Sequence, residues 1–412
     1  MRHSKRKTGL HYAWVVLGVT FVTLIAAASV RSVAGVILEP LEREFGWSRE
    51  SITLAMSINL LLFGLAGPFL GRLIDRFGPR LIAIATLGLI ALGMAGTVWM
   101  QQPWHMHWLW GVVVGAGSGG ASMVMGAAVA HRWFHARRGL ALGILGAAMS
   151  AGQLIFTPTV MQITSAAGWR AASLSVAVLV GAMVLPLVLL LMADHPEEMG
   201  LQAYGDAAVT GVAPPPDAWV MRNALRRSDF WLLASSFGIC GLTSSGLIQI
   251  HFIPHGVEHG FSAMTMATSL GVMGAADIFG TIASGWICDR FGKLWPLAAY
   301  YLIRGATLFA LPFVDSGGTL MVFSVICGLN WLSTVPATSA LTADLFGKQN
   351  VGTVFGWIFF VHQLGAAVAS YGASWLHGLM GNYTLAFMSA GMLALTATLL
   401  VLCIRRDRVA FA

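Results

Sequence analysis

Two long stretches without a charged residue restrict the fold of this chain more than any other feature. Residues 349–404 are 56 consecutive residues without Asp, Glu, Lys or Arg, and residues 81–131 are 51 such residues. A helix needs about 20 apolar residues to cross a bilayer, so each stretch is long enough for two spanning helices and a turn. Only 10% of the chain is charged, against about 25% in soluble domains. The sequence therefore predicts a polytopic membrane protein.

Apolar segments of spanning length recur in two groups of six. The predicted spans lie near 13–38, 51–74, 80–100, 108–130, 139–165 and 171–193, then near 230–253, 264–288, 294–314, 318–342, 351–377 and 383–404. A connection with charged residues and three consecutive prolines separates the groups, which is typical of a linker. We predict an all-α membrane protein with an N-terminal half (1–193), a cytoplasmic linker (194–229) and a C-terminal half (230–412).

Lysine and arginine are distributed unevenly between the loops. Nineteen of the 24 lie in the termini, the linker and the loops predicted on the same side, whereas Arg43, Arg49 and Arg170 lie in the opposite loops. Positively charged loops stay in the cytoplasm. The pattern predicts a protein of the cytoplasmic membrane with both termini inside.

The positions of the cysteines and basic residues argue against metal, disulfide and nucleic-acid chemistry. The four cysteines each lie alone in an apolar segment, without the spacing of a metal site or a disulfide framework. The basic residues are dispersed among loops and do not form the patch typical of nucleic-acid binding. The short linker carries no catalytic constellation. We expect no cofactor, no metal, no nucleic acid and no enzymatic activity, and a monomer in the lipid bilayer.

The two halves repeat one loop. GRLIDRFGPR at 71–80 recurs as GWICDRFGK at 285–293. Gly71, Asp75, Arg76 and Gly78 match Gly285, Asp289, Arg290 and Gly292, and Arg80 ends the first of the two loops. Duplicated six-helix halves are a sequence sign of transporters. The loop resembles the signature loop of the major facilitator superfamily. We expect its charges to pair at the cytoplasmic surface, to meet a helix amino terminus and to take part in gating.

Four further segments resemble the monocarboxylate transporter and oxalate/formate antiporter branch of that superfamily. They are EPLEREFGWSR (39–49), RWFHARRGLALG (132–143), HPEEMGLQAYGD (195–206) and TADLFGKQNVGTVFGWIFFVHQLGA (342–366). The resemblance implies a secondary transporter of small organic anions. Eukaryotic members carry an Asp followed one turn later by an Arg in the eighth span, whereas here Asp277 is followed by Thr281.

Three charged residues lie within predicted spans, namely Arg31, Asp277 and Arg304. Placing a charged side chain in mid-membrane costs about 2.5–3.5 kcal/mol of free energy, so each of the three is expected to have a structural or functional role. Two arginines against one aspartate leave a surplus positive charge, and a guanidinium binds a carboxylate in bidentate fashion. Arg31 is either a substrate ligand or a side chain that reaches the membrane surface. Asp277 with Arg304 is either a structural ion pair or part of the coupling machinery.

Neutral polar residues lie in the spans beside these charges. The candidate substrate ligands are Arg31, Arg304, Asn59, Gln153, Gln249, Asn330, His362 and Gln363, and the candidate proton carriers are Asp277, His251 and His362. For any single neutral residue, an interhelical hydrogen bond is the favoured interpretation, and the residues point to a binding site only as a set. We predict a secondary transporter of small monocarboxylate-like anions that works by alternating access with proton coupling. The alternatives are an exporter or antiporter of other small molecules and a non-transporting membrane sensor.

Overall fold

The computed structural model describes residues 11–205, 219–347 and 350–404, and in these ranges it is helical apart from the connections and one isolated bridge between Phe134 and Tyr204. Eleven helical segments of the described residues are long and apolar enough to cross a membrane. One of them, Leu140–Leu191, has 52 residues, about 78 Å of helix and more than twice the apolar thickness of a bilayer. It bends at Gly168 (φ 83°, ψ 167°), so it contains two spans. The predicted all-α fold with twelve spans is confirmed.

The first four spans are Tyr12–Phe45, Arg49–Gly67, Arg76–Thr97 and Pro103–Trp133, and the fifth and sixth lie on either side of Gly168. The seventh to twelfth are Ser228–Glu258, Ala263–Cys288, Leu294–Phe313, Gly317–Phe346, Val351–Met380 and Thr384–Leu402. Residues 206–218 of the predicted linker lie outside the described residues. The division at 194–229 therefore stays a prediction.

The fourth span and its counterpart in the second half, the tenth, are both broken in their interior. In the fourth, the helix ends at Gly120 and a new one begins after Ser122, whose hydroxyl accepts from the N–H of Val124. In the tenth, the helix ends at Asn330 and resumes at Thr334. Backbone groups released by a break within a membrane need partners from elsewhere in the protein, and Arg304 and Asp277 supply them for the tenth span.

The repeated loops share an unusual backbone. Gly78 has φ 82° and ψ 155°, and the matching Gly292 has φ 79° and ψ 174°, a region that side chains other than glycine avoid. The N–H of Arg80 donates to Oδ1 of Asp194 at 2.7 Å, so the aspartate that caps this helix start comes from the end of the sixth span. The side chains of Asp75 and Asp289, and the surroundings of Gly71, lie outside the described residues. The expected gating role of the loops stays a prediction.

The first six spans contact the last six through three helix pairs, namely first with seventh, second with eleventh and fifth with eighth. A Cβ at Gly35 would lie 2.8 Å from the carbonyl oxygen of Gln249, and one at Gly274 would lie 2.9 Å from that of Ser150. Thr53 donates to Ser374 at 3.0 Å. The contacts of Gly35 and Thr53 lie in the part of each helix nearer Arg49, and we call this side of the bundle the Arg49 end; the contact between Gly274 and Ser150 lies near the middle of the spans.

The opposite side, where the first span begins and the twelfth ends, is the termini end. Here a Cβ added at Gly143 or Gly146 of the fifth span, or at Gly352 or Gly356 of the eleventh, would meet no atom within 4 Å. Farther from the termini end, the fifth and eleventh spans are both in close contact with the other half. The described helices therefore join the two halves at the Arg49 end and leave open space beside these glycines at the termini end.

Candidate functional site

A cavity lies between the first, second, fourth and seventh spans, and Arg31 is in its wall. The polar and aromatic lining consists of Arg31, Asn59, Trp110, Ser245 and Gln249. Arg31 carries the one charge among the lining residues, and the remaining wall is aliphatic. The cavity volume is about 30 Å³, room for one or two water molecules. Arg31 itself is only partly buried.

The guanidinium of Arg31 lacks a full set of protein partners. Its Nη2 is buried and has no hydrogen-bond acceptor among the described residues. Its Cζ lies 4.1 Å from the ring centroid of Phe63, a cation–π contact that orients the group without using its N–H donors. Leaving such a donor unpaired costs about 1–3 kcal/mol, and more when the group is charged. An anion in the cavity would supply the missing acceptor.

The two side-chain amides in the cavity wall are fixed by neighbouring helices. Nδ2 of Asn59 donates to the carbonyl oxygen of Trp110 at 2.9 Å. Nε2 of Gln249 donates to Oε1 of Gln153 at 3.3 Å, and Gln153 in turn donates to Thr157 at 3.0 Å. Gln153 thus supports Gln249 from behind and links the fifth span to the seventh. The structure brings Arg31, Asn59 and Gln249 together, with Gln153 one hydrogen bond away.

Arg304 lies in a different place and its donors are occupied. Nη2 donates to the carbonyl oxygens of Asn330 (2.7 Å) and Trp331 (2.6 Å), and Nε donates to Oδ1 of Asn330 (3.2 Å). Nη1 donates to Sγ of Cys240 at 2.8 Å. The two carbonyls are those released by the break in the tenth span. The buried charge is therefore stabilised by the protein itself.

Asp277 binds the same break from the other side. Its Oδ1 accepts from the N–H of Leu332 at 2.8 Å and from Thr281 at 3.2 Å, and its Oδ2 accepts from Ser150 of the fifth span at 2.5 Å. Asp277 and Arg304 are both described, and no salt bridge joins them. Instead of pairing with each other, Arg304 binds carbonyl oxygens of the broken tenth span and Asp277 binds an N–H group of the same helix.

The eleventh span carries a second set of buried polar atoms without partners. Nδ1 of His362 and Oε1 of Gln363 are buried and unpaired among the described residues. The His362 ring lies 4.6 Å from Phe237 and stacks on Phe359 at 5.6 Å, and Phe359 lies 5.9 Å from Phe63. An aromatic layer therefore extends from the Arg31 guanidinium to His362. The structure does not place His362 or Gln363 in the wall of the Arg31 cavity.

His251 lies apart from these groups, at the Arg49 end. Its Nε2 lies 2.9 Å from the carbonyl oxygen of Ser370 and its Nδ1 lies 3.2 Å from the hydroxyl of Tyr383. Since a carbonyl only accepts, Nε2 donates and Nδ1 accepts from the tyrosine. Burial raises the pKa of Tyr383 above its usual range, so the hydroxyl keeps the proton that it donates.

Arg49, predicted from the sequence to lie in a loop, was not among the candidate site residues. Nε and Nη2 donate to the two carboxylate oxygens of Glu42 (2.8 and 2.9 Å), and Nη1 donates to Glu258 (2.9 Å) and to Tyr383 (2.8 Å). Nη1 also lies 3.2 Å from Nε2 of His377. We call Glu42, Arg49, Glu258, His377 and Tyr383 the Arg49 cluster. The available signal was the segment 39–49, which contains both Glu42 and Arg49.

Comparison with known proteins relates the whole chain to membrane carriers. A sequence profile of the Major Facilitator Superfamily matches residues 19–370 and 278–411. An uncharacterized MFS-type transporter, YcxA of Bacillus subtilis, is 27% identical over 398 residues, which cover 92% of this chain and 92% of the relative.

Several similar proteins are named monocarboxylate transporters. Monocarboxylate transporter 13 of Rattus norvegicus is 24% identical over 395 residues, covering 94% of this chain and 87% of the relative. Monocarboxylate transporter 11 of Homo sapiens is 23% identical over 415 residues, covering 96% of this chain and 83% of the relative. The similarity extends through both groups of six spans.

Proposed function

Because the chain belongs to the Major Facilitator Superfamily, we propose that it is a secondary transporter that moves small organic anions by alternating access, coupled to a proton. The observation that carries the proposal is the unpaired Nη2 of Arg31 in a cavity wall that holds no other charge. A guanidinium in such a place recognises a carboxylate through two parallel hydrogen bonds. The similarity to proteins named monocarboxylate transporters supports the same substrate class.

The cavity wall favours an anion of single charge with an apolar body. Arg31 balances one negative charge, and Met56, Leu60 and Ile250 supply apolar contacts. Asn59 and Gln249 are amides that can bind a hydroxyl or carbonyl of the substrate. Since the cavity volume is about 30 Å³, a carboxylate enters when the halves separate around it. Arg304 and Asn330 support this site indirectly, because they hold the broken tenth span.

Orientation follows from the charge distribution of the loops. We propose that the termini end faces the cytoplasm and that the Arg49 end faces outward in the cytoplasmic membrane. The hydrogen bonds at the Arg49 end then close the carrier to the outside. In the alternative state these bonds break, and the repeated loops at the termini end close the opposite side.

Asp277 is the proposed coupling residue. As a carboxylate it accepts from Ser150 in the other half and from Leu332 in the broken helix. A protonated carboxyl has fewer acceptor sites and gains one donor, so proton binding changes the hydrogen bonding between the halves. His362, with an unpaired Nδ1, is a second proton-accepting group near the aromatic layer.

The proposal is tested with purified protein in proteoliposomes. Uptake of labelled lactate, pyruvate, oxalate and a longer aliphatic monocarboxylate is measured with and without an imposed pH gradient, and a labelled organic cation is the control. We expect saturable uptake of monocarboxylates that an acidic external side accelerates. Saturable uptake of the cation, with no carboxylate transported, would contradict the proposal.

A further inference from the structure

Three neutral polar side chains share the cavity wall with Arg31, namely Asn59, Ser245 and Gln249. Every N–H of the guanidinium is a donor, so the carboxylate of a substrate binds there. The rest of the substrate meets the neutral side chains. An amide presents an acceptor oxygen on one side and a donor nitrogen on the other, so the orientation of Asn59 and Gln249 decides which substrate group matches them.

A backbone group fixes the orientation of the Asn59 amide. Nδ2 donates to the carbonyl oxygen of Trp110 at 2.9 Å, and because a carbonyl only accepts, turning the amide round would break this bond. Oδ1 then has no donor among the residues that the structure describes, and Asn59 is only partly buried. Asn59 lies in the second span and Trp110 in the fourth. The orientation is therefore set within the first half and does not depend on the second.

A relay of hydrogen bonds fixes the amide of Gln249 in the same way. Ser32 donates to the carbonyl oxygen of Ala28 at 3.5 Å, so its hydroxyl accepts from Thr157 at 3.2 Å. Thr157 in turn accepts from Nε2 of Gln153 at 3.0 Å, and Oε1 of Gln153 accepts from Nε2 of Gln249 at 3.3 Å. The direction of each bond follows from the carbonyl that ends the relay. Oε1 of Gln249 is left without a donor in the described part of the chain.

Once Arg31 is occupied by a carboxylate, acceptor atoms are in excess in the wall. The two amide nitrogens each have a partner already, whereas neither amide oxygen has one within the described ranges. Ser245 carries a hydroxyl, which both donates and accepts and so does not discriminate. A substrate group that donates a hydrogen bond can pair with the amide oxygens, and a group that only accepts cannot.

We propose that the amide oxygens of Asn59 and Gln249 make the Arg31 cavity selective for a hydroxy monocarboxylate over the matching oxo acid. This selectivity rests on the proposed transport of organic anions and narrows its substrate class. The carboxylate binds Arg31, and the hydroxyl donates to an amide oxygen. An oxo group has no hydrogen, so the amide oxygens stay unpaired when the cavity closes over it. A site that binds a substrate hydroxyl rejects the analogue that lacks it.

An amino group is another donor that a monocarboxylate can carry, and the charges of the wall disfavour it. At neutral pH this group is largely a cation. The described residues that line the cavity include Arg31 and no Asp or Glu, so an ammonium group would lose its hydration without gaining an acidic partner. The wall therefore suits a neutral donor, which is a hydroxyl.

The experiment measures how unlabelled acids that differ only at the second carbon inhibit uptake of labelled lactate into proteoliposomes. The acids are 2-hydroxybutyrate, 2-oxobutyrate, butyrate and 2-aminobutyrate. At neutral pH the carboxyl group of each is ionised, so the comparison isolates the substituent. We expect the inhibition constant of 2-hydroxybutyrate to be about tenfold lower than those of 2-oxobutyrate and butyrate, the ratio that one net hydrogen bond supplies. The inhibition constant of 2-aminobutyrate should also be higher than that of 2-hydroxybutyrate.

Two substitutions remove an amide oxygen and nearly keep the size of the side chain. Asn59→Leu and Gln249→Met should each reduce the preference for 2-hydroxybutyrate over 2-oxobutyrate by weakening the binding of the hydroxy acid. The effect of Asn59→Leu should be larger, because the orientation of Asn59 persists when the halves separate. Gln162→Met is the matched control, since Gln162 is an exposed glutamine of the fifth span outside the cavity wall. It should keep the preference of the parent protein.

The outcomes separate this selectivity from the transport function on which it rests. A protein that takes up neither lactate nor pyruvate would contradict the proposed function itself. Uptake of carboxylates in which any of the other acids inhibits as strongly as 2-hydroxybutyrate would overturn the selectivity alone. The same conclusion follows if Asn59→Leu and Gln249→Met both keep the parental preference. A purely structural defect would weaken the binding of every acid alike, and if one variant does not fold, the other variant and the parental ratio decide.

Discussion

Ser150 in the fifth span donates a hydrogen bond of 2.5 Å to Oδ2 of Asp277 in the eighth span. One carboxylate thereby connects the first six spans to the last six, while its other oxygen accepts from the N–H of Leu332 in the broken tenth span. A change in the protonation of Asp277 acts on the contact between halves and on the tenth span together.

Asp277→Asn removes the titratable group and retains its size. We expect counterflow of a carboxylate to continue, because exchange needs no net proton movement, whereas net uptake should no longer respond to an imposed pH gradient. Thr281→Ala is the control, since it deletes a bond to Oδ1 within the eighth span and leaves the contact between halves and the titratable carboxyl in place. It should keep the pH response. Full pH-dependent uptake by Asp277→Asn would exclude this residue from coupling.

Arg31→Lys keeps the charge and removes the planar fork. Hydrogen bonds to charged groups contribute about 1.5–3 kcal/mol, so the KM for a monocarboxylate should rise about tenfold or more. The melting temperature in detergent should change little, because Nη2 of Arg31 has no protein partner to lose. An unchanged KM would show that the carboxylate binds elsewhere.

Arg304→Lys should behave in the opposite way. Arg304 donates three hydrogen bonds, to the carbonyl oxygens of Asn330 and Trp331 and to Sγ of Cys240. The single ammonium group of a lysine cannot place its donors in the same geometry. Each buried polar group left unpaired costs about 1–3 kcal/mol. We expect a clear loss of thermal stability, measured by the melting temperature in detergent beside Arg31→Lys. A stable variant with a specific loss of carboxylate binding would place Arg304 in the site.

Gly365→Ala tests the close contact between the seventh and eleventh spans. A Cβ at Gly365 would lie 2.1 Å from the carbonyl oxygen of Gly238, whereas one at Gly352 of the same helix would meet nothing within 4 Å. Overpacking of this kind costs about 1–3 kcal/mol. Gly365→Ala should lower the melting temperature, and Gly352→Ala, the matched control, should leave it unchanged. Equal effects of the two substitutions would contradict the packing described here.

The repeated loops show which structural features the sequence pattern predicts and which it does not. Gly78 and Gly292 align in the sequence and have nearly the same backbone torsions in the structure. The expectation that Asp75 meets a helix amino terminus stays a prediction, because its side chain lies outside the described residues. The observed cap is Asp194, which is 114 residues away from Arg80 in sequence and which no local pattern connects to it.

Arg31 and Arg304 could not be distinguished from sequence. Each is a single arginine in an apolar segment, and the number of available acceptors depends on residues distant along the chain. The break at 331–333 gives Arg304 two carbonyl oxygens, whereas Arg31 faces Phe63 and a cavity. Arg49 was missed for the same reason, since Glu258 and His377 are 209 and 328 residues away.

The sequence by itself determined the number of spans, their grouping into two related halves and the family, because hydrophobic length and repeated motifs are properties of contiguous residues. Tertiary structure alone decided which arginine within a span keeps an unpaired donor, which end of the bundle holds the halves together and where the broken helix finds its partners. Hydrogen-bond saturation depends on distances of about 3 Å between groups far apart in the chain, and such distances exist only once the helices have packed.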